Sequence, residues 1–172
     1  MEITIKLLEE SDVQALYDFE RGNKAFFESV GFGRSESYYD VHNFKEIIKE
    51  LVEEQNKDLV YMYLIKDAYE NIVGRVNLTE IIRGNMNKAE LGYRMGVAYQ
   101  GKGYATKAVS LILERAAAEH KLHRIEAGTS ADNIGSQVVL VKNGFQFTGR
   151  LSQYICINGE WQDSITFEKI IK

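Results

Sequence analysis

Hydrophobic and polar positions alternate most regularly near the middle of the chain. Every second residue there is apolar or aromatic: Ala89, Leu91, Tyr93, Met95 and Val97. Such alternation is typical of a β-strand, because successive side chains point to opposite faces. The pattern therefore predicts a strand over residues 88–97, with Glu90 on the face opposite Leu91 and Tyr93.

Other stretches carry the helical spacing, in which apolar residues recur every three or four positions. The clearest example predicts an amphipathic helix over residues 41–54. The other predicted helices cover residues 11–22, with a capping box of Ser11 and Gln14, residues 101–120, and a segment that Asp132 or Asn133 begins and Gly144 ends. Residues 23–41 are predicted to form a short helix followed by a loop.

Short runs rich in branched and aromatic residues predict the remaining strands. They cover residues 3–7, 59–66, 72–80, 122–129, 145–151, 153–157 and 160–171. Asn158 and Gly159 predict a tight hairpin turn before the last strand. The order of the elements predicts one domain over residues 1–172 of the α/β (α+β) class. Its sheet is expected to be mixed, mainly antiparallel and twisted, with helices on both faces.

The composition is typical of a folded globular protein. The chain has 172 residues, of which 45% are hydrophobic and 27% are charged, so it can bury a core without a disulfide or metal. Its net charge of −4 argues against a nucleic-acid partner, since such partners favour a basic surface. No signal peptide or membrane-spanning segment is visible, so we expect a cytoplasmic protein. We expect it to be a monomer or a homodimer.

Cysteine and histidine give no indication of a metal site. Cys156 is the single cysteine, which excludes an internal disulfide, and a buried position is expected for it. His42, His120 and His123 lack the spacing of metal ligands and are expected on the surface. We therefore expect no metal cofactor.

A glycine-rich turn follows the alternating strand and precedes a helix. It reads Gln100-Gly101-Lys102-Gly103-Tyr104-Ala105. The first amides of a helix have no partners within the helix, and the dipole adds about half a positive charge, so such a turn can bind phosphate. The spacing matches neither a Walker A loop nor a dinucleotide fingerprint, and the glycines could instead serve packing alone.

This turn resembles the R/Q-x-x-G-x-G/A signature of the GCN5-related N-acetyltransferase (GNAT) superfamily. Downstream, Asn133-Ile134-Gly135-Ser136 followed by Asn143-Gly144-Phe145 resembles a second motif of that family. Residues 19–27, 149–151 and 158–163 resemble its RimJ/RimL branch, which acetylates the N-terminal α-amine of ribosomal proteins. The resemblance spans nearly the whole chain and implies a GNAT fold with acetyl-CoA as cosubstrate.

The resemblance also implies how acetyl-CoA would bind. Backbone groups of Met95 and Val97 would pair with the pantetheine arm, and an amide near Val97 would bind the developing oxyanion. Asn133 would bind the pantetheine amide region while capping its helix. The pyrophosphate would be held by the turn that Gln100 begins, through the amides of Gly101, Lys102, Gly103, Tyr104 and Ala105.

The resemblance implies Ser136 as a catalytic residue. Many members of the family carry a tyrosine acid at the position of Leu140, whereas the RimJ/RimL branch uses a serine at the position of Ser136. That hydroxyl would hydrogen-bond the leaving thiolate or relay a proton through water. The general base is open between Glu80 and Glu90, although Glu90 could simply be solvated. Cys156 as an acyl carrier is a lesser alternative.

The expected reaction is direct transfer of acetyl to a primary amine, with a protein N-terminus, such as that of a ribosomal protein, as acceptor. The region of residues 23–41, with Phe26, Phe27, Tyr38 and Tyr39, is expected to wall the acceptor groove. One alternative is a small amine: a polyamine, an aminoglycoside or an amino acid. Others are a non-catalytic acetyl-CoA-binding module and an unrelated phosphate-binding domain.

Overall fold

Seven strands form one mixed sheet in the computed structural model, which describes residues 1–171. The strands are β1 (Ile3–Leu7), β2 (Tyr61–Asp67), β3 (Ile72–Ile82), β4 (Lys88–Met95), β5 (Arg124–Ser130), β6 (Gln146–Ile157) and β7 (Glu160–Ile170). Their order across the sheet is β1-β2-β3-β4-β5-β7-β6. Neighbouring strands are antiparallel except β4 and β5, which are parallel. The prediction of a mixed, mainly antiparallel sheet is confirmed.

In the described residues, five α-helices cover the two faces of this sheet. They are α1 (Val13–Gly22), α2 (Lys24–Ser29), α3 (Val41–Asn56), α4 (Tyr104–Ala118) and α5 (Ile134–Lys142). Short 3-10 helices lie at Glu10–Asp12, Glu36–Tyr39 and Val97–Tyr99. Within residues 1–171 no helix is both long enough and apolar enough to cross a membrane.

Two hydrophobic cores lie on opposite faces of the sheet. Residues of α4 and α5, such as Ile112 and Leu140, pack in one core with Leu91 and Met95 of β4. The other core joins α1, α2 and α3 to β2, with Phe27 and Phe44 among its fully buried members. Because side chains of a strand alternate between faces, Glu90, Gly92 and Arg94 of β4 project to the α1–α3 face.

The ends of several elements differ from the sequence prediction. Ser11 does not cap α1; instead the Glu9 amide donates to the Asp12 carboxylate at 2.9 Å, and Lys6 binds the same carboxylate at 2.6 Å. Strand β4 ends at Met95, since the chain then turns into a 3-10 helix. Helix α4 begins at Tyr104 because the turn before it is held in the left-handed region, with φ +68° at Gly101 and +82° at Gly103.

The last hairpin also differs in detail. Residues 146–157 form one strand rather than two, with a register shift between Leu151 and Ile155 where Gln153 has φ +47°. Asn158 and Gly159 both have positive φ, as the favoured two-residue hairpin turn requires. The predicted hairpin is therefore confirmed, but a bulge replaces the predicted break between strands.

Two single residues are not where the sequence placed them. Cys156 is exposed rather than buried, because β6 is the edge strand and most of its side chains meet solvent. His120 is half-buried: the Tyr61 ring stacks on it at 3.7 Å between ring centroids, and its Nε2 hydrogen-bonds the Tyr63 hydroxyl at 2.7 Å. Burial lowers the pKa of His120 and raises the pKa of Tyr63 to about 12.

A neighbouring ion pair anchors the same end of the sheet. Arg83 binds Asp58 through Nε at 2.6 Å and Nη2 at 2.7 Å, and it donates from Nη1 to the His120 carbonyl at 2.7 Å. The Tyr61 hydroxyl adds a 2.6 Å bond to Asp58. These bonds, chiefly the one from Arg83, lower the pKa of Asp58 from 3.8 to about 2.

We expect Asp58→Asn to lower the free energy of unfolding by about 1 kcal/mol at pH 7, after allowance for the partial exposure of this pair. The pKa of Asp58 is lower in the folded state, so its stabilisation is complete above about pH 4 and is lost as the pH falls towards 2. Urea denaturation from pH 7 to pH 2.5 should show the difference shrinking. Asp18→Asn is the control, because within residues 1–171 that carboxylate accepts a side-chain hydrogen bond only from Gln14 of its own helix. A difference that is independent of pH would contradict this assignment.

Candidate functional site

The sheet splits between its two parallel strands. Strands β4 and β5 pair at only three positions, the last of which joins Glu90 to Glu126. Beyond that point β4 continues to Met95 and β5 to Ser130 without pairing to each other. The split opens a cavity of about 680 Å³ that is bordered by both faces of the sheet.

Residues from both halves of the chain line this cavity. Its α4/α5 side, which we call the thioester half, is lined by Tyr93, Met95, Gln100, Gly101, Gly103, Tyr104, Ala105, Thr106, Asn133 and Ser136. Its α1/α2 side, which we call the acceptor half, is lined by Phe26, Phe27, Ser29, Val30, Phe32, Arg94 and Ile157. The cavity thus passes from one face of the sheet to the other.

Unpartnered amides surround the start of α4. Within residues 1–171, the backbone N–H groups of residues 101–106 hydrogen-bond to no protein acceptor, and the first helical bond there is Lys107 to Gly103 at 3.1 Å. A Cβ built on Gly101 would meet no atom within 4 Å, so the turn is open to a ligand. Together with the helix dipole, these amides form a site suited to a phosphate group.

The side chains of this turn secure it to the strand before it. The Gln100 amide nitrogen donates to the Met95 carbonyl at 3.0 Å, and the Lys102 ammonium donates to the Ala98 carbonyl at 2.8 Å. Lys102 is exposed and is not among the residues that line the cavity. Both side chains therefore stabilise the conformation of the turn, and the backbone amides of the turn face the cavity.

The free edge of β4 presents backbone groups to the cavity. The Gly96 amide donates to the Val73 carbonyl of β3 at 2.9 Å, so by antiparallel alternation Arg94 also faces β3. Tyr93 and Met95 then direct their N–H groups to the open edge. Val97 is placed differently from the expectation: it lies beyond the strand, and its amide donates to Asn23 Oδ1 at 2.9 Å.

Asn133, Ser136 and Tyr93 meet in the thioester half. Asn133 caps α5 by accepting the Ser136 amide at 3.1 Å, which leaves its side-chain nitrogen without a protein acceptor in residues 1–171. The Tyr93 hydroxyl donates to Ser136 Oγ at 3.1 Å. Burial raises the pKa of Tyr93, so the phenol stays protonated and can serve as a proton donor. The sequence did not single out Tyr93 as a site residue, although its position on the Met95 face of the strand was a usable signal.

The carboxylates considered as general bases lie elsewhere. Glu90 is exposed and does not line the cavity, and partial desolvation together with the nearby carboxylates of Glu80 and Glu126 raises its pKa. Glu80 also lies outside the cavity, in a left-handed conformation with φ +48° at the irregular end of β3. Among the described residues that line the cavity, Asp132 is the only one with a carboxylate, and it adjoins Asn133.

Aromatic residues and an arginine line the acceptor half. Phe26, Phe27 and Phe32 line it as the sequence suggested for this region, whereas Tyr38 and Tyr39 do not reach the cavity. The loop after α2 packs against the end of β6, since a Cβ on Gly31 would lie 2.2 Å from Cγ2 of Ile157. The first helices and the last hairpin therefore enclose the acceptor half together.

Comparison with known sequences identifies relatives of this chain. A family model described as Acetyltransferase (GNAT) domain matches residues 2–146, which include the turn, Asn133 and Ser136. The "Probable N-acetyltransferase YjcK" of Bacillus subtilis (strain 168) is 38% identical over 94% of this chain and 90% of its own length.

Solved structures agree with the sequence comparison. Ribosomal-protein-S5-alanine acetyltransferase from Vibrio fischeri matches with a TM-score of 0.92 and 27% identity, over 99% of this chain and 93% of its own. Spermidine N-acetyltransferase from Vibrio cholerae, solved in complex with CoA and spermine, matches with a TM-score of 0.80 and 22% identity, over 98% and 95% of the two chains. This relative thus binds CoA on the same fold.

We expect Gly103→Glu to abolish measurable binding of acetyl-CoA while the protein stays folded. The new side chain would fill the turn and place a negative charge beside the unpartnered amides, where the pyrophosphate is expected. Isothermal titration calorimetry measures the binding, and thermal unfolding checks the fold.

Gly84→Glu is the matched control for this prediction. Gly84 also has a left-handed backbone, with φ +75°, and a Cβ there would meet nothing within 4 Å. This substitution therefore brings the same strain and charge to a turn that does not line the cavity. Unchanged affinity in Gly103→Glu would remove the turn from the cofactor site.

Proposed function

Because the chain belongs to the GNAT family of N-acetyltransferases, we propose that it transfers the acetyl group of acetyl-CoA to the α-amine of a protein N-terminus. A cytoplasmic ribosomal protein is the target class that the likeness to the S5-alanine enzyme favours. The amine attacks the thioester carbon directly, and CoA leaves as the thiolate. No acyl group is carried by the protein, and Cys156 has no part in the reaction.

The charge of the residues that line the acceptor half favours a peptide N-terminus over a polyamine as the acceptor. Among the seven residues that form the acceptor half, Arg94 is the charged one. The other charged residues that line the cavity in the described chain, Asp132 and Lys142, lie at the two ends of α5 and belong to the thioester half. A polyamine carries several positive charges, which an arginine repels and carboxylates would attract. A peptide N-terminus brings one ammonium, which must lose its proton before it can attack. The aromatic walls suit its first side chain.

Binding of acetyl-CoA would use mostly backbone groups. The amides of residues 101–105 would hold the pyrophosphate. The free edge of β4, at Tyr93 and Met95, would pair with the pantetheine amides as an added strand would. Asn133 would contribute its unshared side-chain nitrogen. The Met95 amide, rather than the Val97 amide bound by Asn23, would then be the donor nearest the thioester oxygen.

Departure of the thiolate would be assisted by Ser136 and Tyr93. A serine hydroxyl is a weak acid, but the Tyr93 hydroxyl donates to Ser136 Oγ and can replace a proton that Ser136 gives to sulfur. Among the described residues, the acceptor half provides no carboxylate base, so the proton of the ammonium would pass to water in the cavity before the amine attacks. The nitrogen loses a second proton after the attack, and water would return that proton to Tyr93. CoA is then released as the thiol, and one proton is released to solvent.

The first test is release of free CoA thiol from acetyl-CoA with a panel of amines. The panel contains peptides with N-terminal Ala, Ser, Thr or Met, free amino acids, an aminoglycoside and spermidine. We expect turnover with the peptides, since they match the charge of the acceptor half. Turnover confined to spermidine or the aminoglycoside would contradict the proposed acceptor. Binding of acetyl-CoA with no turnover of any amine would favour a non-catalytic acetyl-CoA-binding module.

Ser136→Ala and Tyr93→Phe should each lower kcat about tenfold to hundredfold, the cost of one hydrogen bond to a developing charge. Neither substitution should weaken acetyl-CoA binding by more than a few-fold, because the amides that hold the pyrophosphate are untouched. Assays of thiol release give kcat, and calorimetry gives the affinity for acetyl-CoA. Ser152→Ala and Tyr154→Phe, both at exposed positions of β6, are the matched controls. Equal kcat in all four variants would exclude proton transfer from Tyr93 through Ser136 to the sulfur.

A further inference from the structure

A buried charge cluster lies behind the acceptor half of the cavity. Glu20 of α1 is fully buried and accepts from Nη1 of Arg75 at 2.8 Å and from Nη1 of Arg94 at 3.3 Å. The side chains of Arg75 and Arg94 are only 8% and 11% exposed. Three residues that are far apart in the sequence thus form one network across β3, β4 and α1.

The cluster has more positive than negative charge. Two guanidinium groups share the single carboxylate of Glu20. Arginine does not lose its proton in proteins, although burial lowers the pKa of Arg94. A charge that is withdrawn from water without a full partner is costly, and a bound anion would offset that cost. Arg75 has no access to the cavity, whereas Arg94 lines it.

Arg94 is held in place and has donors to spare. Its guanidinium carbon lies 4.6 Å from the centroid of the Phe27 ring and 5.9 Å from that of Phe32. Within residues 1–171 its Nε and Nη2 donate to no protein acceptor, and neither is among the fully buried atoms that lack a partner. A fixed, planar group with free N–H donors matches the shape of a carboxylate.

We propose that Arg94 is a specificity-determining residue that binds a carboxylate of the acceptor. The preferred acceptor is then a primary amine with a carboxylate a short distance away. The carboxylate can be an acidic side chain near a protein N-terminus or the α-carboxylate of a free amino acid. This inference rests on the proposed function and names the acceptor's chemistry more closely.

The first test uses the unaltered protein and acceptors that differ in one group. The peptide pair is Ala-Asp-Ala-Ala-Ala-amide and Ala-Asn-Ala-Ala-Ala-amide, and the amino-acid pair is alanine and alaninamide. We measure binding to the CoA-saturated protein by calorimetry and kcat/KM with acetyl-CoA. A charge-assisted bond predicts about tenfold to hundredfold tighter binding for the acidic member of one pair. The pair that responds identifies the source of the carboxylate.

The second test uses variants of Arg94. Arg94→Gln should remove the preference for the acidic member, and Arg94→Lys should keep part of it, since lysine retains charge but loses the planar pair of donors. Arg34→Gln is the control. The guanidinium carbon of Arg34 lies 5.3 Å from the centroid of the Tyr38 ring, and Arg34 does not line the cavity. Unchanged calorimetric binding of acetyl-CoA shows that each variant is folded.

The outcomes separate this inference from the proposed function. Equal binding of both members in both pairs would overturn the carboxylate subsite, even where peptides are acetylated. A preference that persists in Arg94→Gln would assign the carboxylate to another group and would overturn the role of Arg94. Preferential binding without acetylation of any amine would support the subsite and contradict the proposed function.

Discussion

The loss of pairing between β4 and β5 after Glu90 is the constraint on which the site depends. A β-strand whose edge is unpaired exposes N–H and C=O groups that require partners. Here those groups are the N–H and C=O of Tyr93 and the N–H of Met95, since the Met95 carbonyl accepts from Gln100, and the space beside them is the cavity. The same separation leaves room for the glycine turn between β4 and α4, so the first amides of α4 open into that space. It also gives access to Arg94 from the opposite face of the sheet.

The two faces of the sheet contribute different chemistry to this space. On one face, neutral backbone donors and the Tyr93–Ser136 hydroxyl pair surround the expected thioester. On the other face, Glu20 holds two arginines beside aromatic rings. Asn23 connects the two sides, because it binds the Val97 amide just after β4 from the junction of α1 and α2. A change at that junction would therefore affect both the acceptor wall and the end of the strand.

Local patterns were sufficient to predict much of the fold. The alternation around Leu91 predicted the central strand, and the start of α5 was narrowed to Asp132 or Asn133, of which Asn133 is the cap. Contacts between distant segments could not be read in this way. Glu20 and Arg94 are 74 positions apart, and no local periodicity reports that they meet. The placements of Cys156 and His120 were wrong for the same reason, since burial there depends on which strand is at the edge and what α4 packs against.

The unpartnered amides of residues 101–106 have a consequence for how such a chain can diverge. A ligand that is held by main-chain groups places few demands on side-chain identity, apart from the glycines that shape the turn. Acetyl-CoA recognition can thus persist while most of the sequence drifts. The acceptor half is built from side chains, Phe27, Phe32 and Arg94 among them, so single substitutions there can change the substrate. One half of the cavity is therefore robust to mutation, and the other is where new specificities can evolve.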